Sequence, residues 1–280
     1  MLKILAPCLL AAIMACGARG AAAQTPSPMQ EWQYPGGIEL ERLFAHEIPE
    51  WDRILGLAAS MQPVYSGASR YRASEGPVIN IRYRDRIFLS TGEGLGGDFL
   101  QGKHYRVTLS VGVDLGRREE WDISRLRGLG DIPRAPFVKL SSSYVISKRL
   151  PIILRADIRK IAGGSAGLIG DVEAYTPLPG SSRKLVMFAG PSVTVADRKH
   201  LQTGYGISAL QSLDSGYPVY SAHGGLEKAG FGFSATRFFT PHLLANTDLS
   251  ASELLGSAGN SPLVQRKTQA SFDLSVAYRW

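Results

Sequence analysis

The chain has 280 residues, a formal net charge of +7 and 44% hydrophobic residues, with a mean hydropathy of −0.03. Beyond the N-terminal leader it has no apolar run of about 18 residues, which excludes a helical membrane protein. Its basic residues do not cluster among aromatic residues, so nucleic acid is not an expected partner.

The first residues have the three parts of a secretory signal peptide. Lys3 supplies the positive charge, Ile4–Met14 the apolar core, and Ala21–Ala23 the small residues of a cleavage site. We therefore predict a signal peptide over residues 1–23 and an exported mature chain. Both cysteines, Cys8 and Cys16, lie inside it, so disulfides, thiolate zinc sites and cysteine nucleophiles are not expected. A lipoprotein signal at Cys16 is a weaker alternative.

Residues 24–53 are polar and contain several prolines, with a short helix predicted at 39–46. We interpret them as a periplasmic N-terminal tail that precedes a barrel over residues 54–280, with a first loop as the alternative. Without Lys3 and Arg19, the formal charge of the mature chain falls from +7 to +5. This balance is only mildly basic.

From Ile54 onward, segments of alternating apolar and polar residues follow one another. The clearest is Tyr105–Gly116, and about 9–11 tilted residues suffice to cross a membrane. Two shorter segments, 95–101 and 219–228, raise a count of ten strands to twelve, and either even number suits a single-chain barrel. The other predicted strands are 54–62, 79–89, 105–116, 138–146, 152–161, 168–176, 185–196, 231–239, 243–255 and 270–280.

The last strand alternates with an apolar face that ends on Trp280. This pattern predicts a closing strand that pairs with the first strand near Ile54. Phe272, Tyr278 and Trp280 form the candidate assembly signal for the barrel assembly machinery, so removal of Trp280 should impair insertion. A soluble β-sandwich would also alternate, but its strands are usually shorter. The predicted fold is all-β, a transmembrane antiparallel up-and-down barrel in outer-membrane lipid, with twelve strands favoured and ten possible.

Charged residues lie on the polar face of these strands. One interpretation is a cross-strand salt-bridge network that fills the interior, and the other is a small pore whose arginine-rich wall favours anions. We favour the filled interior, because a barrel of this size leaves little free bore. The candidate lumen-lining residues are Arg82, Arg84, Arg86, Arg106, Asp114, Arg155, Asp157, Arg159, Asp171 and Glu173.

Motifs for catalysis or cofactor binding are weak. Gly92–Gly97 matches G-x-G-x-x-G and Gly97–Lys103 resembles a Walker motif, but neither precedes a predicted helix. The five histidines show no metal-ligand spacing, and a pairing of His223 with Asp197 or Asp214 is a poor candidate. We expect no catalytic, cofactor-binding or metal residues, so the chain is not expected to be an enzyme. An enzyme whose residues come from separate strands is the alternative.

Several short phrases occur along the mature chain in a fixed order, and together they resemble the MipA/OmpV family of Gram-negative outer membranes. They are Pro63–Gly67 with Tyr71–Arg72, Pro77–Arg86, Leu126–Asp131, Gly190–Thr194 with Ala196–Asp197, Gln202–Thr203, Gly206–Ala209, Ser215–Gly216 and Ser261–Pro262.

The resemblance implies an outer-membrane barrel whose best-known member is described as a scaffold. That member is thought to join a lytic transglycosylase that cuts peptidoglycan to a penicillin-binding protein that synthesises it. We therefore expect a non-enzymatic docking platform with these enzymes as partners, with a small-solute pore or an adhesin as the alternative. Glycine and proline in Pro63–Tyr71 and Arg127–Asp131 predict segments that fold over or into the barrel mouth, with ordinary ordered loops as the alternative.

Overall fold

Twelve antiparallel strands form a closed barrel in the computed structural model, which describes residues 49–147, 151–164 and 166–280. This confirms the predicted fold, whereas the predicted signal peptide and the helix at 39–46 lie outside the described residues. The strands are β1 (Trp51–Pro63), β2 (Tyr71–Tyr83), β3 (Ile87–Ser90), β4 (Gly94–Gln101), β5 (Tyr105–Asp114), β6 (Ala135–Val145), β7 (Ile153–Ile161), β8 (Gly167–Pro177), β9 (Leu185–Ala196), β10 (Gly225–Phe238), β11 (Leu243–Leu254) and β12 (Thr268–Arg279).

The barrel closes where β12 pairs with β1. Ile54 lies opposite Arg279 and Met61 lies opposite Phe272. Beyond the last strand residue, the backbone N–H of Trp280 donates to the Arg53 carbonyl oxygen at 3.0 Å. The predicted pairing of the final strand with the first is therefore confirmed. Phe272, Tyr278 and Trp280 are exposed on this seam, and their role in assembly stays a prediction.

One predicted strand is in fact two. The segment 79–89 was predicted to be continuous, with Asp85 on the wrong face. The chain instead reverses at residues 84–86, where Arg84 and Asp85 have positive φ angles of 47° and 52°. β2 ends before this turn and β3 begins after it. The break in alternation at Asp85 marked the turn.

Two other predicted strands are in fact one. Residues 219–224 precede the barrel wall, and β10 begins at Gly225 and continues through the segment predicted separately at 231–239. A β-bulge between Leu226 and Lys228 shifts the register against β9. Because a bulge adds one residue, it breaks the period of two and makes one strand resemble two. The count of twelve is correct because this error offsets the first.

The strands expose an apolar face and bury a polar one. β6 and β7 alternate strictly between buried and exposed positions. Leu140, Leu154 and Ile158 are exposed, whereas Lys139 and Arg155 are almost wholly buried. This is the reverse of a soluble sheet and suits a wall surrounded by hydrocarbon. Aromatic residues at the strand ends nearest the termini match an interfacial girdle: Trp51, Tyr83, Tyr105, Tyr144, Tyr278 and Trp280.

The two ends of the barrel differ in their connections. Short turns such as 84–86 and 102–104 lie at the end that holds the C-terminus, and the opposite end carries 64–70, 115–134, 197–224 and 255–267. Within the described ranges, no helix is long and apolar enough to span a membrane. The long loops contain a 3-10 helix (Glu119–Asp122), α1 (Ile123–Leu126), α2 (Arg198–Tyr205), α3 (Ala209–Ser215) and α4 (Gly256–Gly259).

Candidate functional site in the barrel interior and the loop cap

The interior holds most of the charged residues that the alternation placed there. The structure corrects two of them: Arg84 and Arg86 are exposed, because the turn at 84–86 takes them out of the wall. Arg84 pairs instead with Glu50 at 2.8 Å. The predicted residues that are buried are Arg82, Arg106, Asp114, Arg155, Asp157, Arg159, Asp171 and Glu173.

A first ionic cluster joins β2, β4, β5 and the turn after β2. Asp98 Oδ2 lies 2.9 Å from Arg82 Nη1 and 3.0 Å from Arg106 Nη1. Arg106 also pairs with Asp85, whose carboxylate accepts a hydrogen bond from Gln101 at 2.8 Å. Each charge is therefore compensated by an opposite charge inside the barrel, as burial requires.

A second ionic cluster is centred on Glu93, which lies in the turn between β3 and β4. Arg155 Nη2 approaches its carboxylate at 2.5 Å, and Lys139 Nζ lies 3.8 Å away. Arg155 Nε also lies 3.4 Å from Asp157 Oδ2. The turn thus places a carboxylate between two cations of β6 and β7. Alternation could not find Glu93, because the residue is outside any strand.

Acidic groups outnumber basic groups in the interior. Among the buried residues that the structure describes in the strands and short turns, ten are Asp or Glu and five are Arg or Lys. An arginine-rich, anion-favouring wall is therefore not what these residues form. Asp248 and Asp273 lie directly opposite each other on β11 and β12. The same alternation that found Arg106 could have found both, since each lies on the polar face of a predicted strand.

The four long loops pack together as a cap over one end of the barrel. Tyr65 Oη donates to the Leu263 carbonyl oxygen at 3.2 Å. Burial, aided by the nearby Asp122 carboxylate, raises the pKa of Tyr65 to about 12. Both segments predicted to fold over the mouth contribute to the cap. Its buried apolar residues are Val64, Tyr65, Ala68, Leu126, Leu129, Ile207 and Leu263.

Replacing Gly128 with alanine should lower the free energy of unfolding of this cap by about 1–3 kcal/mol. Gly128 has a φ of +80°, and a Cβ there would lie 2.5 Å from the Asp214 carbonyl carbon. This loss of stability should appear as faster tryptic cleavage after the exposed Arg127. Gly130→Ala is the control, because Gly130 has a φ of +73° but no atom within 4 Å of the added Cβ. Equal cleavage rates in the two variants would contradict the role of the Gly128 contact.

The histidine pairing considered from the sequence is not formed. His223 is exposed and its backbone N–H donates to Ser257 Oγ, whereas Asp197 caps α2 by accepting from the His200 N–H at 2.8 Å. His200 lies instead beside a carboxylate of β10, with Nε2 3.8 Å from Glu227 Oε2. In the part of the chain that the structure describes, no group of three or more possible ligands could hold a metal ion.

A closed barrel with an apolar outer face and an ionic interior defines a membrane-spanning β-barrel of the outer-membrane type. The sequence matches the model of the family described as MltA-interacting protein MipA over residues 55–280, and the chain belongs to this family. This membership supports an outer-membrane barrel. No curated protein matches the sequence.

Two solved outer-membrane structures are similar at low identity. An outer membrane channel from Pseudomonas putida F1 is 9% identical, with 84% of this chain and 97% of that chain covered and a TM-score of 0.41. The translocator domain of autotransporter NalP from Neisseria meningitidis is 12% identical, with coverages of 90% and 98% and a TM-score of 0.40. At these scores, neither structure informs the function of this chain.

Proposed function

We propose that the chain is a non-enzymatic docking platform for cell-wall enzymes, exported by its signal peptide and exposed to the periplasm at the end that holds its C-terminus. The partners are those that the family resemblance implies, a lytic transglycosylase and a penicillin-binding protein. In single-chain barrels the short turns face the periplasm and the long loops face the outside. The docking face is therefore the rim of short turns.

The observation that carries this proposal is the charge of that rim. Six exposed basic residues there form no ion pair with any residue that the structure describes. The rim carboxylates of Glu50 and Asp52 are already paired with Arg84 and Arg279. A surface with this excess of positive charge attracts acidic partner surfaces and orients their approach. The six residues are Arg53, Arg86, Lys103, Arg183, Lys184 and Arg237.

The filled interior also favours docking over transport. Arg82 and Arg106 are bonded to carboxylates of the neighbouring wall, Arg155 is bonded to Glu93 in the β3–β4 turn, and the long loops close the opposite end. These ion pairs and the cap occupy space that a wide solute path would need. Planar-bilayer recordings of the purified protein should therefore show no stable open level, and a steady conductance would favour the pore instead.

Affinity recovery from solubilised envelopes tests the docking role. Charge reversal at Arg86, Arg183 and Lys184 should lower recovery of the hydrolase and the synthase several-fold, and added salt should lower recovery by the wild type because it screens exposed charges. The control reverses Arg127, Arg198 and Lys199 at the opposite end and should recover both enzymes normally. Failure of the wild type to recover either enzyme would overturn the proposal.

A further inference from the structure

A cavity of about 290 Å³ lies between the cap and the ionic interior. Arg117, Trp121 and Tyr205 of the cap line it, and β1, β5, β7, β8, β9, β10, β11 and β12 provide its wall. Ligand pockets in proteins usually have volumes of about 300–1,000 Å³, so this cavity suits a small molecule. It is separate from the periplasmic rim, and a ligand bound there would not need the docking role.

The charges that line the cavity are balanced. Three carboxylates face it, from Asp114, Asp171 and Glu227, together with three cationic residues, Arg117, Arg159 and Lys228. An anion would meet the carboxylates and a cation would meet the basic groups, so the lining favours a ligand without net charge. Hydroxyl groups supply much of the remaining polar surface: Ser66, Ser192, Thr194, Ser250, Ser252 and Ser271.

Tyr205, Ser66 and Glu227 form a hydrogen-bonded group in the cavity wall. The Tyr205 hydroxyl lies 2.8 Å from Ser66 Oγ and 3.0 Å from Glu227 Oε1. Burial, followed by the Glu227 carboxylate, raises the pKa of Tyr205 well above its usual range, so the phenol keeps its proton. Glu227 is thereby held in place, and a carboxylate can accept further hydrogen bonds from ligand hydroxyls.

Arg117 provides a complementary donor. Only 8% of this residue is exposed, and Nη1 donates to the Gly204 carbonyl oxygen at 3.1 Å. Its Nε has no hydrogen-bond partner among the described residues. A buried donor without a partner is costly, and a ligand oxygen would satisfy it. The cavity thus has a fixed donor in Arg117 and a fixed acceptor in Glu227.

Aromatic surface completes the lining. Tyr65 and Trp121 both border the cavity. The Arg72 guanidinium lies 4.3 Å from the centroid of the Trp121 ring and holds the indole in place. A hydroxyl-bearing ring has polar groups at its edge and apolar C–H groups on its faces. The edge can form hydrogen bonds with the hydroxyl and carboxylate groups of the lining, and the faces can pack against its aromatic rings. We propose that this cavity binds an uncharged saccharide of one or two rings.

Beside Trp121 the barrel wall extends least far toward the cap. Residues 71–78 of β2 pair with β1 on one side, but on the other side β3 reaches only as far as Asn80. The 115–134 loop covers this unpaired edge, where Asp122 Oδ1 lies 3.3 Å from Arg70 Nη1. A saccharide would therefore reach the cavity beside the ion pair of exposed Arg70 with buried Asp122 rather than through the ionic interior.

Titration of the purified full chain in detergent tests the inference, with glucose, N-acetylglucosamine and maltose as neutral probes. At least one should bind saturably and change tryptophan fluorescence, and Trp121→Phe should remove most of that change. Glucuronate and protonated glucosamine should bind at least about tenfold more weakly, since each places a charge in a balanced site. No saturable binding by any neutral probe, or tighter binding of a charged probe, would overturn the inference.

Matched variants assign the site. Arg117→Gln and Glu227→Gln should each weaken binding by about tenfold or more, because the shorter glutamine at 117 draws the donor away from the ligand and the neutral amide at 227 is a weaker acceptor than the carboxylate. Arg118→Gln is the control, since Arg118 is exposed and pairs with Glu120 at 2.9 Å. If the buried variants fail to fold, Ser192→Leu removes binding by occupying the cavity from a half-exposed position. Unchanged binding in folded Arg117→Gln or in Ser192→Leu would place the saccharide elsewhere.

Discussion

Replacing Gly56 with valine should leave most chains unable to close the barrel. A Cβ at this position would lie 2.2 Å from the Val276 carbonyl oxygen and 2.6 Å from the Ala277 Cα. Both atoms belong to the backbone of β12, so neither can rotate away. The valine therefore forces β1 and β12 apart along the seam. In a membrane, each backbone group left without a partner costs several kcal/mol.

The folded fraction of the Gly56 variant can be read from electrophoresis of unheated samples, in which a closed barrel migrates differently from the unfolded chain. Gly76→Val is the matched control, because Gly76 lies on neighbouring β2 and an added Cβ has no atom within 4 Å. The control should fold like the wild type. A normal folded band for Gly56→Val would show that the seam tolerates a side chain and would contradict the close approach.

Replacing Arg155 with alanine should lower the free energy of unfolding by about 3–5 kcal/mol, because it leaves buried charge uncompensated. Glu93 would keep its ion pair with Lys139, whose Nζ lies 3.8 Å away, but would lose the closer Arg155, and Asp157 would lose its contact with Arg155 Nε at 3.4 Å. Both carboxylates are buried. Water that entered the vacated space would be neutral and would not restore the lost positive charge.

Urea unfolding in detergent or lipid measures this loss. Arg155→Ala combined with Glu93→Gln should recover part of the stability, since the neutral amide needs no counter-charge. Arg86→Ala should change stability by less than about 0.5 kcal/mol, because Arg86 is exposed in a turn. A double variant that is no more stable than Arg155→Ala would mean that the ion pair with Glu93 is not the source of the effect.

The strand pattern was readable where alternation is uninterrupted. β6 and β7 follow the period of two from end to end, and β12 pairs where its register predicted. Errors occurred at the Arg84–Asp85 turn and the Leu226–Lys228 bulge. In both cases a single backbone irregularity changes which face the next residue occupies, and residue type alone does not encode that change.

For the interior charges, too, the sequence predicted some residues and missed others. Alternation predicted that Arg82, Arg106 and Arg155 would face inward, because inward facing depends only on neighbouring residues. Their partners Glu93 and Asp98 were missed. Glu93 lies in a hairpin turn and contacts Arg155, which is far from it in the sequence. Asp98 lies next to a register shift in β4.

The sequence by itself determined that this chain forms a barrel wall, because a local period of two decides whether a strand residue faces inward or outward. The final strand likewise predicted its own pairing with β1. Only the tertiary structure decided the loop cap, the balanced cavity and the pairing of buried charges. Those features bring together distant residues, such as Ser66 with Tyr205 and Tyr65 with Leu263. Their contacts depend on barrel closure and loop packing, which no local pattern of residues records.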